Sequence, residues 1–241
     1  MTTLAVLFAL VSACAVVTTI RGAYASWSAK WTVDYSDYVL PAGTKKKRAV
    51  IIPGCCNSHN DVTAPSTMFY AWLAARLREH PQFDEVVLRN MPDPELARRS
   101  IWVPFIVNEL IVDNRTVVIG HSSGAVASMR LSEERRIHGV VLLSAYHSDL
   151  GQEAETTSGY VPPGGGPWRW DRMRKNSGNN IAILHADDDT IVPLAEGQQV
   201  ARSLGVELKL ALGQSHFFSP YEPIFEAVLS VAEATPEREQ R

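Results

Sequence analysis

The sequence has few cysteines, no excess of basic residues and none of the common zinc-binding motifs. Its three cysteines, two of them adjacent, cannot build a disulfide framework in a chain of 241 residues. The net charge of −3 supplies no positive field for a polyanion, so we expect no nucleic-acid partner. Neither a CxxC pair nor an HExxH helix occurs, so we expect neither a metal nor another cofactor.

An uncharged hydrophobic run occupies residues 4–20. Arg21 and several small residues follow it and resemble a signal-peptidase site, which favours a secretory signal. Positively charged residues follow this run and none precedes it. This asymmetry favours a membrane anchor, or an extension, with the residues after the run in the cytoplasm. We therefore predict a leader over residues 1–25 and a linker over 26–46, and secreted, membrane-anchored and cytoplasmic locations all stay open.

Short apolar runs alternate with longer helical patterns between residues 47 and 235, and a polar tail follows at 236–241. The runs that we predict as strands are 49–52, 85–88, 116–119, 139–143, 181–184 and 206–210. The patterns that we predict as helices are 66–79, 95–112, 123–136, 193–204 and 220–232. Runs that are apolar on both sides are typical of buried parallel strands, and the alternation indicates βαβ crossovers. The sequence predicts an α/β fold, a three-layer α/β/α sandwich with a mostly parallel six-stranded sheet of order 2-1-3-4-5-6.

The segment from Gly120 to Gly124 reads GHSSG and matches the G-x-S-x-G pattern. It lies between a predicted buried strand and a predicted helix, which is the setting of a nucleophile elbow. The glycines permit a sharp turn, and the helix N-terminus favours negative charge beside it. We predict that Ser122 is a nucleophile. A serine that only caps the helix is the alternative, although capping explains neither glycine.

A serine nucleophile needs a base that is oriented by an acid, and on this fold the chain order is serine, acid, histidine. Asp189 follows the fifth predicted strand in a D-x-x-V-P turn and is the predicted acid. Asp188 is the alternative acid, and an acidic turn that binds a cation or caps the next helix is another reading. His216 is the single histidine after Asp189 and is the predicted general base.

The oxyanion hole is predicted to consist of two backbone N–H groups, that of Ser123 and that of Cys55 in the loop after the first strand. Cys55 or Cys56 as the nucleophile is a rival hypothesis, but neither cysteine has an assigned base. Trp168 and Trp170 follow the fourth predicted strand, where this fold builds the wall of its acyl pocket. Both are candidates for the substrate pocket, with core packing as the alternative.

Several stretches resemble the retinoblastoma-binding protein nine group of small serine hydrolases, also called YdeN-like α/β-hydrolases. The matching stretches are NMPDPELARRSIWVPFI at 90–106, VVIGHSSGAVASMR at 117–130, VVLLSAYHSDLG at 140–151, SGY at 158–160 and PWRW at 167–170. The resemblance extends over residues 48–235 and implies a minimal α/β-hydrolase without a large cap domain. It also implies a cytoplasmic location and a triad of Ser122, Asp189 and His216.

The resemblance further implies a serine hydrolase that cleaves small ester or amide substrates, including amino-acid esters and amides. A thioesterase or aminopeptidase specificity and a non-catalytic binding module on the same scaffold are the alternatives. The family has a glycine-rich oxyanion loop, whereas this chain has GCCNSHND at 54–61. The L-x-C-x-E motif that binds retinoblastoma-type pocket proteins is absent at the matching residues 110–114, so we do not expect that partner. The sequence sets no oligomeric state.

Overall fold

The computed structural model describes residues 45–55, 61–64 and 68–234. The predicted leader, the polar tail and nearly all of the predicted linker lie outside the described residues. Within the described ranges, no helix combines the length and the hydrophobicity that crossing a bilayer requires.

Six parallel strands form one sheet with the order β2-β1-β3-β4-β5-β6. The strands are β1 (Lys47–Ile52), β2 (Phe83–Leu88), β3 (Thr116–His121), β4 (Gly139–Leu143), β5 (Ile181–Ala186) and β6 (Leu208–Ala211). The helices are α1 (Tyr70–Glu79), α2 (Arg99–Asn108), α3 (Ser123–Glu134), α4 (Glu153–Ser158), α5 (Trp170–Asn176), α6 (Leu194–Leu204) and α7 (Glu222–Glu233). The predicted strand order and fold class are confirmed.

Side chains of the central strands alternate between two hydrophobic clusters, one on each face of the sheet. In β1, Val50 and Ile52 pack in one cluster with α2, α3, α5 and α6. Ala49 and Ile51 pack in the other cluster with α1 and α7. Burial on both faces explains the continuous apolar runs of the sequence and confirms the three layers.

The elements begin and end at other residues than predicted in several places. α1 begins at Tyr70 instead of residue 66, and α2 covers Arg99–Asn108 instead of 95–112. Non-glycine residues near these ends have left-handed backbone, which a helix cannot include. The φ angles are 47° at Met68 and 49° at Ala97, before the two helices, and 55° at Ile111, after the second. The two short helices α4 and α5 were not predicted, because six or seven residues are too few to show a helical period.

A crevice for ligands is expected where the connections leave the sheet in opposite directions. The chain after β1 enters α1 on one face of the sheet, whereas the chain after β3 enters α3 on the other. This change of direction occurs between the two neighbouring strands β1 and β3, so a ligand crevice is expected above their carboxyl ends. The described chain between β4 and β5 holds only the short helices α4 and α5, which agrees with a hydrolase fold that lacks a large cap.

Candidate active site

Ser122 occupies the sharp turn between β3 and α3. Its backbone has φ of 55° and ψ of −124°, a conformation that is rare for any residue other than glycine. The Ser122 N–H donates to the Leu143 carbonyl at 2.9 Å, which fixes the turn to the end of β4. The Ser122 side chain makes no capping hydrogen bond to α3, so capping does not account for this serine.

The glycines on either side of Ser122 allow α3 to approach the sheet closely. A Cβ atom at Gly120 would lie 2.7 Å from the Ala125 Cα atom. A Cβ atom at Gly124 would overlap the carbonyl oxygens of Ile52 and Pro53 at the end of β1. Because these are backbone atoms that cannot rotate away, both positions need glycine, and the turn is held against β1.

Asp189 and His216 are hydrogen bonded to each other. The His216 Nδ1 atom lies 2.8 Å from Asp189 Oδ2 and 3.1 Å from Asp189 Oδ1. The Asp189 side chain is fully buried, and its Oδ1 atom accepts the N–H groups of Ile191 and Val192 at 2.9 Å each. Ser144 Oγ donates to Oδ2 at 2.7 Å. The carboxylate is therefore fixed in a position that orients the imidazole.

These contacts determine the charge of Asp189. Burial by itself raises the pKa of the carboxyl group, but hydrogen bonds from His216, Val192 and Ser144 outweigh burial and lower the pKa of Asp189 to about 2. Asp189 is therefore a carboxylate at neutral pH. Since a carboxylate only accepts hydrogen bonds, the Nδ1 atom of His216 carries the proton and leaves Nε2 as the basic nitrogen.

The two aspartates before Asp189 hold the loop that carries His216 and do not contact the imidazole. Asp187 accepts the Gly213 N–H at 2.9 Å, and Asp188 accepts the Ser215 N–H at 2.7 Å. Both residues are exposed. In the described part of the chain, no cluster of histidine, cysteine and acidic residues is arranged to hold a metal ion.

Of the two residues predicted for the oxyanion hole, Ser123 directly follows Ser122, and Cys55 directly follows Gly54, which packs against Ser122. Ser123 is the first residue of α3, so its N–H lies outside the hydrogen-bond pattern of the helix itself. Cys55 follows Gly54, and a Cβ atom at Gly54 would lie 3.2 Å from the Ser122 Cβ atom. Gly54, the residue before Cys55, thus lies directly beside Ser122. Cys56, in contrast, lies outside the described residues.

His216 and Ser122 come together through the residue before the serine. The rings of His121 and His216 are 4.6 Å apart between centroids, and the His121 Nε2 atom lies 3.1 Å from the His216 carbonyl oxygen. No hydrogen bond joins the hydroxyl of Ser122 to the imidazole of His216 in the described structure. Such bonds are often long in proteins without substrate and shorten when a substrate binds.

Several polar residues beside this site were not predicted from the sequence. Ser144 follows β4 at the same edge of the sheet as Ser122, a position that could have indicated it. Tyr146 donates to the Glu155 carboxylate at 2.7 Å and lies 3.3 Å from Ser123 Oγ. Burial raises the pKa of both Tyr146 and Glu155. The partner of the tyrosine comes from the short helix α4, which the sequence did not predict.

Trp168 and Trp170 lie in a cleft of about 430 Å³ on the side of α5 and α6. Their rings are stacked with centroids 5.4 Å apart, and Trp168 Nε1 donates to the His147 carbonyl at 2.9 Å. The cleft extends to Arg174 and Ser203 in the last turns of α5 and α6. Both rings also pack against the core, so their part in a substrate pocket stays a prediction.

Comparisons with known proteins identify the family of the chain. The family profile described as "Serine hydrolase" matches residues 49–220, which is more than half of the chain. The chain belongs to the serine hydrolase family. A relative of this hydrolase, serine hydrolase RBBP9 of Rattus norvegicus, is 41% identical over 170 residues, which cover 70% of the chain and 87% of the relative. The predicted resemblance to this group is confirmed.

Solved structures support the fold of this serine hydrolase. The product of the ydeN gene of B. subtilis superposes with a TM-score of 0.66 at 20% identity, and the match covers 78% of this chain and all of that chain (100%). Est1E from Butyrivibrio proteoclasticus superposes with a TM-score of 0.54 at 17% identity, over 77% of this chain and 86% of that chain. At these identities the likeness shows the α/β-hydrolase fold alone.

Proposed function

We propose that this serine hydrolase cleaves small esters or amides through an acyl-enzyme on Ser122. The observation that carries the proposal is the buried hydrogen bond of 2.8 Å between Asp189 and His216, next to a serine held in a strained turn. Strained backbone of this kind is typical of functional sites, and a sharp strand-to-helix turn is the setting of a nucleophilic serine in this fold. The pair supplies both the base and the acid that a serine nucleophile requires.

The proposed reaction has two steps. Ser122 Oγ attacks the carbonyl carbon of the substrate while His216 Nε2 takes the hydroxyl proton, and the imidazolium then protonates the departing alcohol or amine. Water attacks the resulting ester of Ser122 in the same way, and the acid leaves. Asp189 stabilises the imidazolium in both steps, because it lies against Nδ1 and keeps its negative charge.

The N–H groups of Ser123 and Cys55 are the proposed donors to the oxyanion. The N-terminal end of α3 adds a favourable dipole at the same place. Loss of one such donor in other hydrolases costs about 100- to 1,000-fold in kcat. Both donors are backbone groups, so their position depends on the turn at Ser122 and on the loop at Gly54 rather than on a side chain.

Labelling with a fluorophosphonate probe tests the nucleophile. We expect one labelled residue, assigned to Ser122 by peptide mapping, and no labelling of Ser122→Ala. Ser132→Ala is the matched control, because Ser132 is a buried serine of the same helix and its hydroxyl donates to the Met129 carbonyl at 2.8 Å. A folded Ser122→Ala protein that labels at the wild-type rate would show that the nucleophile is another residue.

The wild-type protein and Ser122→Ala are also used to compare classes of substrate. An oxygen ester, a thioester and an aminoacyl amide with the same acyl group are compared by kcat/KM. We expect the wild-type protein to hydrolyse the oxygen ester. Ser122→Ala should hydrolyse none of the three substrates. A folded wild-type protein that neither labels nor hydrolyses any of the three substrates would favour a binding module on the hydrolase scaffold.

A further inference from the structure

Tyr70 and His121 form a buried chain of hydrogen bonds that begins at the loop after β1. The Gly54 N–H donates to the Tyr70 hydroxyl oxygen at 3.0 Å. That hydroxyl lies 2.6 Å from His121 Nδ1, and His121 Nε2 lies 3.1 Å from the carbonyl oxygen of His216. Tyr70 is fully buried and His121 is 2% exposed, so water does not compete for these bonds.

The direction of each hydrogen bond in the chain follows from the charge of the two side chains. Burial raises the pKa of Tyr70, and burial together with the nearby His216 holds the pKa of His121 well below its usual range. Tyr70 therefore keeps its proton, and His121 is neutral. Because the Tyr70 oxygen accepts from Gly54, its proton is free to be donated to Nδ1. The single proton of His121 then lies on Nε2 and is donated to His216.

The chain connects the three segments that carry the proposed chemistry. Gly54 directly precedes Cys55 in the loop after β1, His121 directly precedes Ser122, and the last acceptor belongs to the backbone of His216. Phe69 and Phe217 flank the His121 ring at centroid distances of 5.5 Å and 6.4 Å and hold it in place. Two buried rings therefore link the loop at Gly54 to the backbone of His216.

We propose that Tyr70 and His121 are positioning residues that fix the oxyanion loop and the backbone of the base relative to Ser122. This inference rests on the proposed function. Neither side chain needs to touch the substrate, because both act through Gly54 and His216. Loss of the chain therefore affects the transition state, in which the oxyanion and the imidazolium are formed, more than it affects substrate binding.

Tyr70→Phe removes the hydroxyl and leaves the ring in place. We expect kcat to fall roughly 10- to 100-fold, less than for loss of an oxyanion donor itself, with KM changed less than about threefold. The affinity for a trifluoromethyl ketone, which forms an oxyanion on the enzyme, should fall by the same factor as kcat/KM. Tyr221→Phe is the matched control, since Tyr221 packs on Phe217 but its hydroxyl takes no part in this chain; we expect its kcat to be unchanged.

Two substitutions at His121 separate the ends of the chain. Asn places a polar group near the position of Nδ1 and keeps the contact with Tyr70, whereas Gln places one near Nε2 and keeps the contact with His216. We expect each variant to retain part of the wild-type kcat, because each keeps one of the two contacts of His121. A kcat lower than that of Tyr70→Phe is expected only if both ends of the hydrogen-bonded chain contribute to the rate. If Tyr70→Phe does not fold, this pair of variants decides the question by the same measurements.

The outcomes distinguish this inference from the proposed function. A wild-type protein that does not label at Ser122 contradicts the proposed function itself. Wild-type protein that labels, together with Tyr70→Phe and His121 variants that keep the wild-type kcat and inhibitor affinity, overturns only the positioning role. A fall in thermal stability with unchanged kcat, or a rise of KM alone, would also overturn it, because a merely structural role predicts those results.

Discussion

At the residue scale, the function of Asp189 depends on how many hydrogen bonds its carboxylate accepts. Two backbone N–H groups and the Ser144 hydroxyl bind it in addition to His216. Together they offset the cost of burying a charge, so the group stays ionised where a bare buried carboxyl would take up a proton. A carboxylate in this position selects the His216 tautomer that the proposed mechanism needs.

Asp189→Asn tests that selection. An amide keeps the shape of the side chain but carries no charge, and its NH₂ group turned toward Nδ1 would favour the wrong tautomer. We expect kcat to fall about 10³- to 10⁴-fold with little change in KM, as for the same exchange in other triads. Asp188→Asn is the matched control, because its amide oxygen still accepts the Ser215 N–H. Equal losses in both variants, measured by steady-state kinetics, would contradict the assignment of the acid.

At the element scale, the packing of α3 against the end of β1 sets the position of Ser122. Gly124→Ala should disturb this packing, because its methyl group would overlap backbone oxygens of Ile52 and Pro53. We expect the free energy of unfolding to fall by about 3 kcal/mol, the upper end for overpacking, and labelling by the fluorophosphonate to slow markedly. Both quantities are measured against Gly164→Ala, whose Cβ would be no closer than 3.8 Å to Thr156. Equal stability of the two variants would show that α3 can shift without cost.

The elements that the sequence predicts well are those whose residues are dictated by burial or by glycine. The run at 116–119 and the glycines at 120 and 124 indicate the strand and its sharp turn, since few other structures need that pattern. The helix ends are different. Ala97 adopts a left-handed backbone because its N–H bonds the Asp93 carbonyl and the next residue bonds the Asp93 side chain, contacts that no periodicity reveals.

The same distinction applies to the candidate site. Ser122, Asp189 and His216 could be selected from their order along the chain and from the elements they follow. Tyr70 could not, because a tyrosine in an apolar helix segment reads as a core residue. Its hydroxyl gains partners only when β1 and β3 become neighbours in the sheet, a contact between residues far apart in the sequence.

At the scale of the whole molecule, buried histidines link stability to pH. His80, His121 and His185 are each at most 2% exposed, and they lie in different parts of the sheet and its helices. Burial lowers the pKa of all three below the usual value of 6.5. The folded protein therefore keeps them neutral at pH values where the unfolded chain already binds protons at the same residues.

This difference predicts that stability falls as the pH drops below about 6.5, the pKa of histidine in unfolded chains. Each histidine that is still neutral in the folded protein lowers the free energy of unfolding by about 1.4 kcal/mol per pH unit. Above that pH the contribution is complete and the curve is flat. Asp189 adds a similar loss only below about pH 4, whereas Glu155, whose pKa is raised by burial, acts in the opposite direction because the folded protein binds its proton first. Urea unfolding at a series of pH values measures the effect. His80→Gln should make the slope of the unfolding free energy against pH shallower by the contribution of one histidine. An equal slope in the wild-type protein and in His80→Gln from pH 7.5 to 5.5 would mean that His80 gains its proton without leaving the folded state.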